Sequence, residues 1–152
     1  FVMFSCLGPG TLRELHALYR RLGWPAPTAN FVDMHDLGDM LVHAGFADPV
    51  MDQELITLQW RDAQALLDEL RSLGGNASPL RFAGCRTRRW RERLLHELGS
   101  LADEQGRISL RFEVAYGHAF RAAPRVRVAE QTNVSLADMR AIIRGGKANP
   151  VR

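Results

Sequence analysis

The clearest pattern of apolar and polar positions lies near the end of the chain and predicts a half-buried strand over 107–117. One set of alternate positions is apolar or aromatic, and the intervening set is polar: Ile108, Leu110, Phe112, Val114 and Tyr116 against Arg107, Ser109, Arg111 and Glu113. Successive side chains of a strand point to opposite faces, so one face is expected to be buried and the other solvated. This pattern favours an antiparallel or edge strand.

Two further strands are predicted. Residues 1–7 form a nearly continuous apolar run that ends at Gly8-Pro9-Gly10. A short unbroken run of this kind is typical of a parallel strand that is covered on both faces, so we expect this strand to be fully buried. The second strand is expected over 50–60.

Apolar residues spaced three and four apart predict helices between and after these strands. The first opens on a capping box, Thr11 to Glu14, and the second on Asp33 as N-cap; Ser135 to Asp138 caps the last. The predicted ranges are 11–22, 33–44, 62–73, 87–104 and 135–145.

The resulting order, β-α-α-β-α-α-β, is typical of the second half of a doubly wound α/β domain. Residues 122–133 show no periodicity and are expected to be a linker. We therefore divide the chain into an α/β part at 1–120, and a linker with a short C-terminal helix at 121–152.

Composition narrows the class of protein. With 152 residues, of which 46% are hydrophobic, one globular domain is expected. No apolar run approaches the ~20 residues of a membrane span. The start lacks the basic region of a signal peptide, and a start inside an apolar run without Met is expected of an excerpt. Cys6 and Cys85 are expected to be reduced thiols in a cytoplasmic protein.

The net charge of +3 is modest, but its distribution is uneven. Lys147 is the only lysine, and much of the arginine falls within 81–93. A biased composition with a solvated helix face would produce this block, and so would a docking patch for an acidic partner, since guanidinium groups suit carboxylates and phosphates. Nucleic acid is a weaker alternative, because no known module's interleaving of aromatic and basic residues appears.

Several segments resemble one enzyme family in the correct order. The stretch FVDMHDLGDMLVHAGF at 31–46, with PVMD at 49–52, resembles a signature of the malonyl-[acyl-carrier protein] O-methyltransferases of biotin synthesis. GPGTLREL at 8–15, LDELRSLG at 67–74 and EVAYGHAF at 113–120 are similar to further segments of that family. Cys6, Phe120 and the loop 79–86 depart from the pattern.

The resemblance implies the C-terminal half of a Rossmann-like class I methyltransferase sheet, ending in an antiparallel strand pair. It implies methyl transfer from S-adenosylmethionine to the free carboxylate of malonyl-[acyl-carrier protein], with the acyl carrier protein as partner. The main S-adenosylmethionine site is expected in an N-terminal half that this chain lacks, so the chain alone is expected to be inactive. Gly8-Pro9-Gly10 is not the cofactor loop, because proline removes a backbone donor.

Two other functions stay open. A related methyltransferase-fold protein of the arginine hydroxylase type also has a stretch similar to 33–46. A non-catalytic interaction domain that uses the arginine face is the second alternative. The Asp33-Met34-His35 start and Tyr116-Gly117-His118 favour the carboxyl O-methyltransferase.

No residue is assigned as catalytic, cofactor-binding or metal-binding. Ser5 is most simply a hydroxyl at a strand end, His35 a histidine in the first turn of a helix, and His118 a histidine packed in a strand. For each of them, contact with the substrate is the alternative. The arginines are candidates for malonyl or phosphopantetheine contact, or for docking the acidic carrier protein. The substrate candidates are Ser5, His35, Arg81, Arg86 and His118; the docking candidates are Arg88, Arg89 and Arg91.

Overall fold

The computed structural model describes residues 1–121 and 135–145. Its elements follow the predicted order, with one further helix after the last strand: β1 (Val2–Leu7), α1 (Arg13–Arg21), α2 (Met34–His43), β2 (Phe46–Trp60), α3 (Ala63–Ser72), α4 (Arg88–Gly99), β3 (Ile108–Arg121) and α5 (Leu136–Gly145). The α/β fold class is confirmed. No helix of the described residues is both long and apolar enough to cross a membrane.

The three strands form one sheet in the order β1-β3-β2, with β3 antiparallel to both neighbours. Ser5 of β1 lies opposite Tyr116, and Asp52 of β2 lies on the other side of the same tyrosine. The antiparallel pair formed by β2 and β3 was expected. β2 begins at Phe46, four residues before the predicted start, and its register shifts between Ala47 and Val50.

The expectation that β1 is fully buried is wrong. Phe1 is 82% exposed and Met3 is 71% exposed. Among the described residues β1 is hydrogen-bonded to β3 alone, and that pairing is antiparallel. Residues 1–7 are apolar enough for burial on both faces of a sheet. The described residues, however, pair with only one edge of this strand and cover only part of its surface.

The main core lies at one end of the sheet. Ile108, Leu110 and Phe112 share one face of β3 and belong to a single buried cluster with leucines of α1, α3 and α4. Leu66 and Leu98 of this cluster are fully buried. The helices bury the rows of leucines that the spacing of apolar residues predicted. We call this covered end of the sheet, from Ile108 to Phe112, the closed end.

The buried face changes along β3. After Phe112, the buried residues are Ala115, Gly117 and Ala119 on the opposite face, while Tyr116 is 39% exposed. The prediction of one continuous buried face over 108–116 is therefore wrong beyond Phe112. A Cβ on Gly117 would lie 2.5 Å from Phe4 Cζ and 2.7 Å from Met51 Sδ, so glycine is required there.

Helix α2 covers this second face. Its Gly38 lies against Met51, which pairs with Gly117 across the sheet. The face that carries the closed-end core is uncovered at this same place. We call this uncovered part of the face the open end. It consists of Met3, Val50, His118 and Phe120. Val50 is 54% exposed there, and Phe120 is 55% exposed.

Most predicted caps are confirmed, with one exception. Asp33 Oδ1 accepts a 2.8 Å hydrogen bond from His35 N, and Ser135 caps α5 through Asp138 N. The capping box from Thr11 to Glu14 is wrong. Thr11 Oγ1 instead donates to Glu113 O and accepts from Glu113 N, and Leu12 occupies the N-cap with φ 56° and no side-chain cap.

One helix is shorter than predicted. α4 ends at Gly99 and is followed by a turn in which Asp103 Oδ1 accepts hydrogen bonds from Gln105 N and Arg107 N. Side chains such as aspartate offer the backbone an alternative to helical bonding, which ends the helix before the predicted residue 104. The predicted linker at 122–133 lies outside the described residues.

Candidate functional site

The turn after β1 is held by one residue, Glu113, through its backbone carbonyl and its carboxylate. Gly8 N donates to Glu113 O at 2.9 Å, and Gly10 N donates to Glu113 Oε2 at 3.2 Å. A Cβ on either glycine would collide with that carboxylate. Pro9 has no N–H, so both backbone donors of the turn are already engaged by Glu113. The turn therefore does not fit the role of a loop that binds a cofactor through free N–H groups.

Ser5 and His118 lie on the same face of adjacent strands. Ser5 pairs with Tyr116, and His118 pairs with Met3, so the two candidates occupy diagonal positions. Ser5 lies two residues before the end of β1, not at the strand end as expected, and it is exposed. His118 is half-buried, with its ring edge-on to Phe120 at 6.2 Å. The structure thus brings these two side chains to the open end.

Tyr116 lies between them and carries a perturbed hydroxyl. The hydroxyl donates a hydrogen bond to Glu54 Oε1. This bond is the largest cause of a raised pKa of Tyr116; burial and the negative charges of Glu54 and Asp52 raise the pKa further. The phenol therefore stays protonated and serves as a hydrogen-bond donor. Sequence reasoning placed this residue in the core and missed the pair.

His35 is separated from that group. It lies in the first turn of α2, exposed, with its N–H bound to Asp33. Because α2 packs on the face of Met51 and Gly117, His35 belongs to the side of the sheet opposite Ser5 and His118. The structure does not unite the three polar candidates in one site.

The two substrate-candidate arginines differ in how firmly they are held. The Arg86 guanidinium lies over the Phe82 ring at 3.8 Å and over the Trp90 ring at 4.7 Å. Arg81 is exposed, and within the described residues its guanidinium makes a single long bond, 3.4 Å to Ser78 O. Arg86 is thus oriented by two aromatic faces, whereas Arg81 is free to reorient toward a ligand.

The three docking candidates lie on α4 and are exposed. Arg88 forms an ion pair with Glu92, and Arg91 donates to Gln64 Oε1. Arg89 has no side-chain hydrogen bond or ion pair among the described residues. Of the three, Arg89 is therefore the one whose guanidinium is fully available to a partner.

A basic cleft that sequence reasoning missed lies between α1 and the loop at 28–31. It has a volume of about 440 Å³, and its walls include Arg13, His16 and Arg20. The spacing of these three residues, i, i+3 and i+7, places them on one helix face. That spacing was the available signal, but the leucine stripe of the same helix drew the interpretation toward packing. Within the described residues, no group of three or more His, Cys, Asp and Glu side chains could hold a metal ion.

The chain is similar to curated enzymes of one name. It is 42% identical over 126 residues to the malonyl-[acyl-carrier protein] O-methyltransferase of Gallionella capsiferriformans (strain ES-2), a match that covers 82% of this chain and 43% of that protein. The enzymes of that name from Nitrosospira multiformis and Laribacter hongkongensis are each 40% identical, and 41% and 42% of their lengths are covered. The chain thus spans about two fifths of these relatives. No family model matches it.

Proposed function

Because the chain is homologous to the C-terminal part of the malonyl-[acyl-carrier protein] O-methyltransferases, we propose that it is the substrate-side part of such an enzyme. The whole protein would methylate the free carboxylate of malonyl-[acyl-carrier protein] in biotin synthesis, in the cytoplasm. The division into an α/β part at 1–120, and a linker with a helix at 121–152, belongs to the same proposal.

The single observation that carries the proposal is the free side of β1. Within the described residues β1 has β3 on one edge and no strand on the other, although its sequence is suited to burial on both faces. An apolar strand left at an edge is a template for pairing. Further strands of a larger sheet would pair there and cover Phe1 and Met3, and the uncovered three fifths of the relatives' length is large enough to supply them.

S-adenosylmethionine supplies the methyl group in enzymes of this type. The turn at Gly8-Pro9-Gly10 does not fit its binding, because Glu113 occupies the turn's donors. We propose, as the resemblance implies, that the main S-adenosylmethionine site lies outside these 152 residues; the occupied donors of this turn support that proposal. The part left to this chain is to bind and orient the acyl substrate.

Methyl transfer to a carboxylate places few requirements on the residues that bind the acyl substrate. A carboxylate is already a nucleophile at neutral pH, so no general base is required, and the rate depends on placing the carboxylate in line and excluding water. A guanidinium fork fixes a carboxylate through two parallel hydrogen bonds. Arg81 is free to do so, while Arg86 is held on Phe82 and Trp90 and would orient the acyl or phosphopantetheine arm.

The open end offers polar side chains for the same pocket. Ser5 and His118 lie on one face, beside a Tyr116 hydroxyl that stays protonated. Ser5 and His118 would hydrogen-bond the neutral parts of the acyl chain, while the Tyr116 hydroxyl is held by Glu54. His35, on the other face, would contribute only by positioning the start of α2.

The acidic carrier protein would dock on the exposed arginines of α4: Arg88, Arg89 and Arg91. To test this, Arg88, Arg89 and Arg91 are changed to Glu together, and carrier-protein affinity is measured at low salt. We expect a loss of at least tenfold, because like charges now face the partner. Arg71→Glu, on exposed α3, is the matched control and should leave affinity unchanged. Unchanged affinity in the triple variant would refute docking on α4.

Methyl transfer itself is tested on the whole protein that contains this chain. The protein is incubated with S-adenosylmethionine and malonyl-[acyl-carrier protein], and the carrier is weighed by mass spectrometry. A gain of one methylene on the malonyl group is expected. Binding of the carrier without any gain in mass would instead support a non-catalytic interaction domain, and a gain of one oxygen on a protein arginine would support the arginine hydroxylase type.

A further inference from the structure

The cleft beside α1 has no role in the function proposed above. Arg13, His16 and Arg20 form one wall, and Pro9, Asn30 and Phe31 contribute to the rest. Pro9 belongs to the turn that follows β1, so the cleft lies at the carboxyl end of that strand. Open α/β sheets bind their ligands beyond the carboxyl ends of strands.

The positive charge in this cleft is not neutralised by the fold. Arg13 and Arg20 are exposed and make no ion pair within the described residues. Their neighbours on the same helix are paired, since Arg21 binds Glu97 at 2.8 Å and Glu14 binds Arg111 at 2.5 Å. Among the residues that the structure describes, none with a carboxylate lines the cleft. Two guanidinium groups therefore face a concave space without a counter-charge.

His16, the third side chain of this wall, is held in place by the opposite wall; burial and the charge of Arg20 lower its pKa, so the two arginines carry the charge of the cleft. His16 Nε2 and Thr28 Oγ1 are 2.8 Å apart, which joins α1 to the loop at 28–31. Thr28 Oγ1 in turn donates to Ala29 O at 3.0 Å. This bonding fixes the width of the cleft, so the two arginines meet a preformed space and not a mobile loop edge.

The walls are partly apolar. Pro9, Ala29 and Phe31 contribute hydrocarbon surface beside the guanidinium groups. Binding of an inorganic ion would leave this apolar surface exposed to water. An anion attached to an organic chain would contact both the arginines and the apolar side.

We propose that this cleft binds a phosphate ester, with Arg13 and Arg20 holding the phosphate oxygens and Phe31 contacting the attached organic group. Guanidinium forks match phosphate oxygens in geometry and charge. The volume of about 440 Å³ accommodates a phosphate with part of its chain. This inference rests on the proposed function for the identity of the ester, since a phosphopantetheine arm carries the acyl substrate; binding of the phosphate itself is measured without methyl transfer.

The test uses 4′-phosphopantetheine as probe, with pantetheine and inorganic phosphate as comparison ligands, and isothermal calorimetry on the protein. The phosphate ester is expected to bind more tightly than either comparison ligand. Arg13→Gln and Arg20→Gln should each weaken its binding by about tenfold, the loss of one charge-assisted contact. Both arginines are exposed and unpaired, so the variants are expected to fold, which circular dichroism checks.

Arg71→Gln is the matched control, an exposed arginine on α3 outside the cleft, and it should bind like the parent protein. Equal affinity for pantetheine would overturn the proposal, because the phosphate would then contribute nothing. Unchanged affinity in both cleft variants would overturn it as well. Equal affinity for inorganic phosphate would overturn the assignment to an ester.

Discussion

The two ends of the sheet are built from the same strand pattern and have opposite surroundings. At the closed end, Leu110 is fully buried under helices of the main core. At the open end, the same face of the sheet presents Met3, Val50 and Phe120, each more than half exposed. Alternation along β3 continues through both ends. What differs is the cover, because α1, α3 and α4 pack only over the first half of the strand.

This difference shows that a strand's pattern determines which residues share a face, but not which face is buried. Past Phe112, burial moves to the side of Gly117 because α2 and the Phe4 ring are there. The open end then has the composition of a protein interior without the cover of one. The proposed larger sheet would remove this contrast.

The largest expected effect separates the two ends directly. Leu110→Ala should lower the free energy of unfolding by about 2–5 kcal/mol, since it leaves a cavity in the closed-end core. Val50→Ala, at the open end, should cost less than about 0.5 kcal/mol. Urea unfolding followed by circular dichroism measures both. Equal losses would show that the open end is covered in solution and would break the comparison.

A smaller effect is expected where the buried face changes. Gly117→Ala should cost about 1–3 kcal/mol, because the added methyl group overlaps Phe4 Cζ and Met51 Sδ. Gly75→Ala is the control, since a Cβ there meets no atom within 4 Å. In a double-mutant cycle, Phe4→Leu should relieve part of the Gly117→Ala cost. Additive losses would show that Phe4 is not the obstacle.

Acid should weaken the closed end through Glu14. Partial burial opposes ionisation, but hydrogen bonds from its own N–H and from Arg111, together with the Arg111 charge, lower the pKa of Glu14 overall. A lowered folded pKa means that the contribution to stability is present above the unfolded pKa of about 4.5. It is lost as pH falls through the folded pKa.

The measurement compares Glu14→Gln with the parent protein by urea unfolding at pH 7 and pH 3. The difference in stability between the two should shrink at pH 3, because protonation of the parent carboxyl removes the contribution of its ionised form. A difference that is the same at both pH values would show that ionisation of Glu14 does not stabilise the closed end.

The last prediction is that this chain alone does not bind S-adenosylmethionine strongly. The 152-residue chain, shown to be folded by circular dichroism, should give no strong heat of binding with S-adenosylmethionine in calorimetry. The whole protein is the positive control. Strong binding to the chain alone would place the cofactor site within these residues and contradict the proposed division of labour.

Much of the fold follows from local signals. The strand and helix order is predictable from periodicity, and Asp33, Asp62 and Thr87 each accept the backbone hydrogen bond of a helix N-cap. The failures have a common cause in long-range contacts. Thr11 looks like a cap in sequence, but its hydroxyl is bound by the Glu113 backbone, 102 residues away.

The site was less predictable than the fold. The resemblance identified the correct relatives, yet Ser5 and His35 lie on opposite faces of the sheet. Arg13 and Arg20 were passed over because nothing in their spacing shows that they lack counter-ions. Whether a charge is compensated depends on distant residues, such as Glu97 for Arg21 and Arg111 for Glu14, and these are identified only once the chain is folded.

The position of β3 has a consequence for how the protein forms. β3 is the last in sequence of the three described strands and the central one, so the edges of β1 and β2 that pair with it stay open until residue 108 and those after it emerge from the ribosome. Contacts at a separation of 102 residues carry a high entropic cost of loop closure and slow folding. The edge of the apolar β1 that pairs with β3 would therefore stay exposed until β3 is synthesised, and this is when we expect chaperones to be needed.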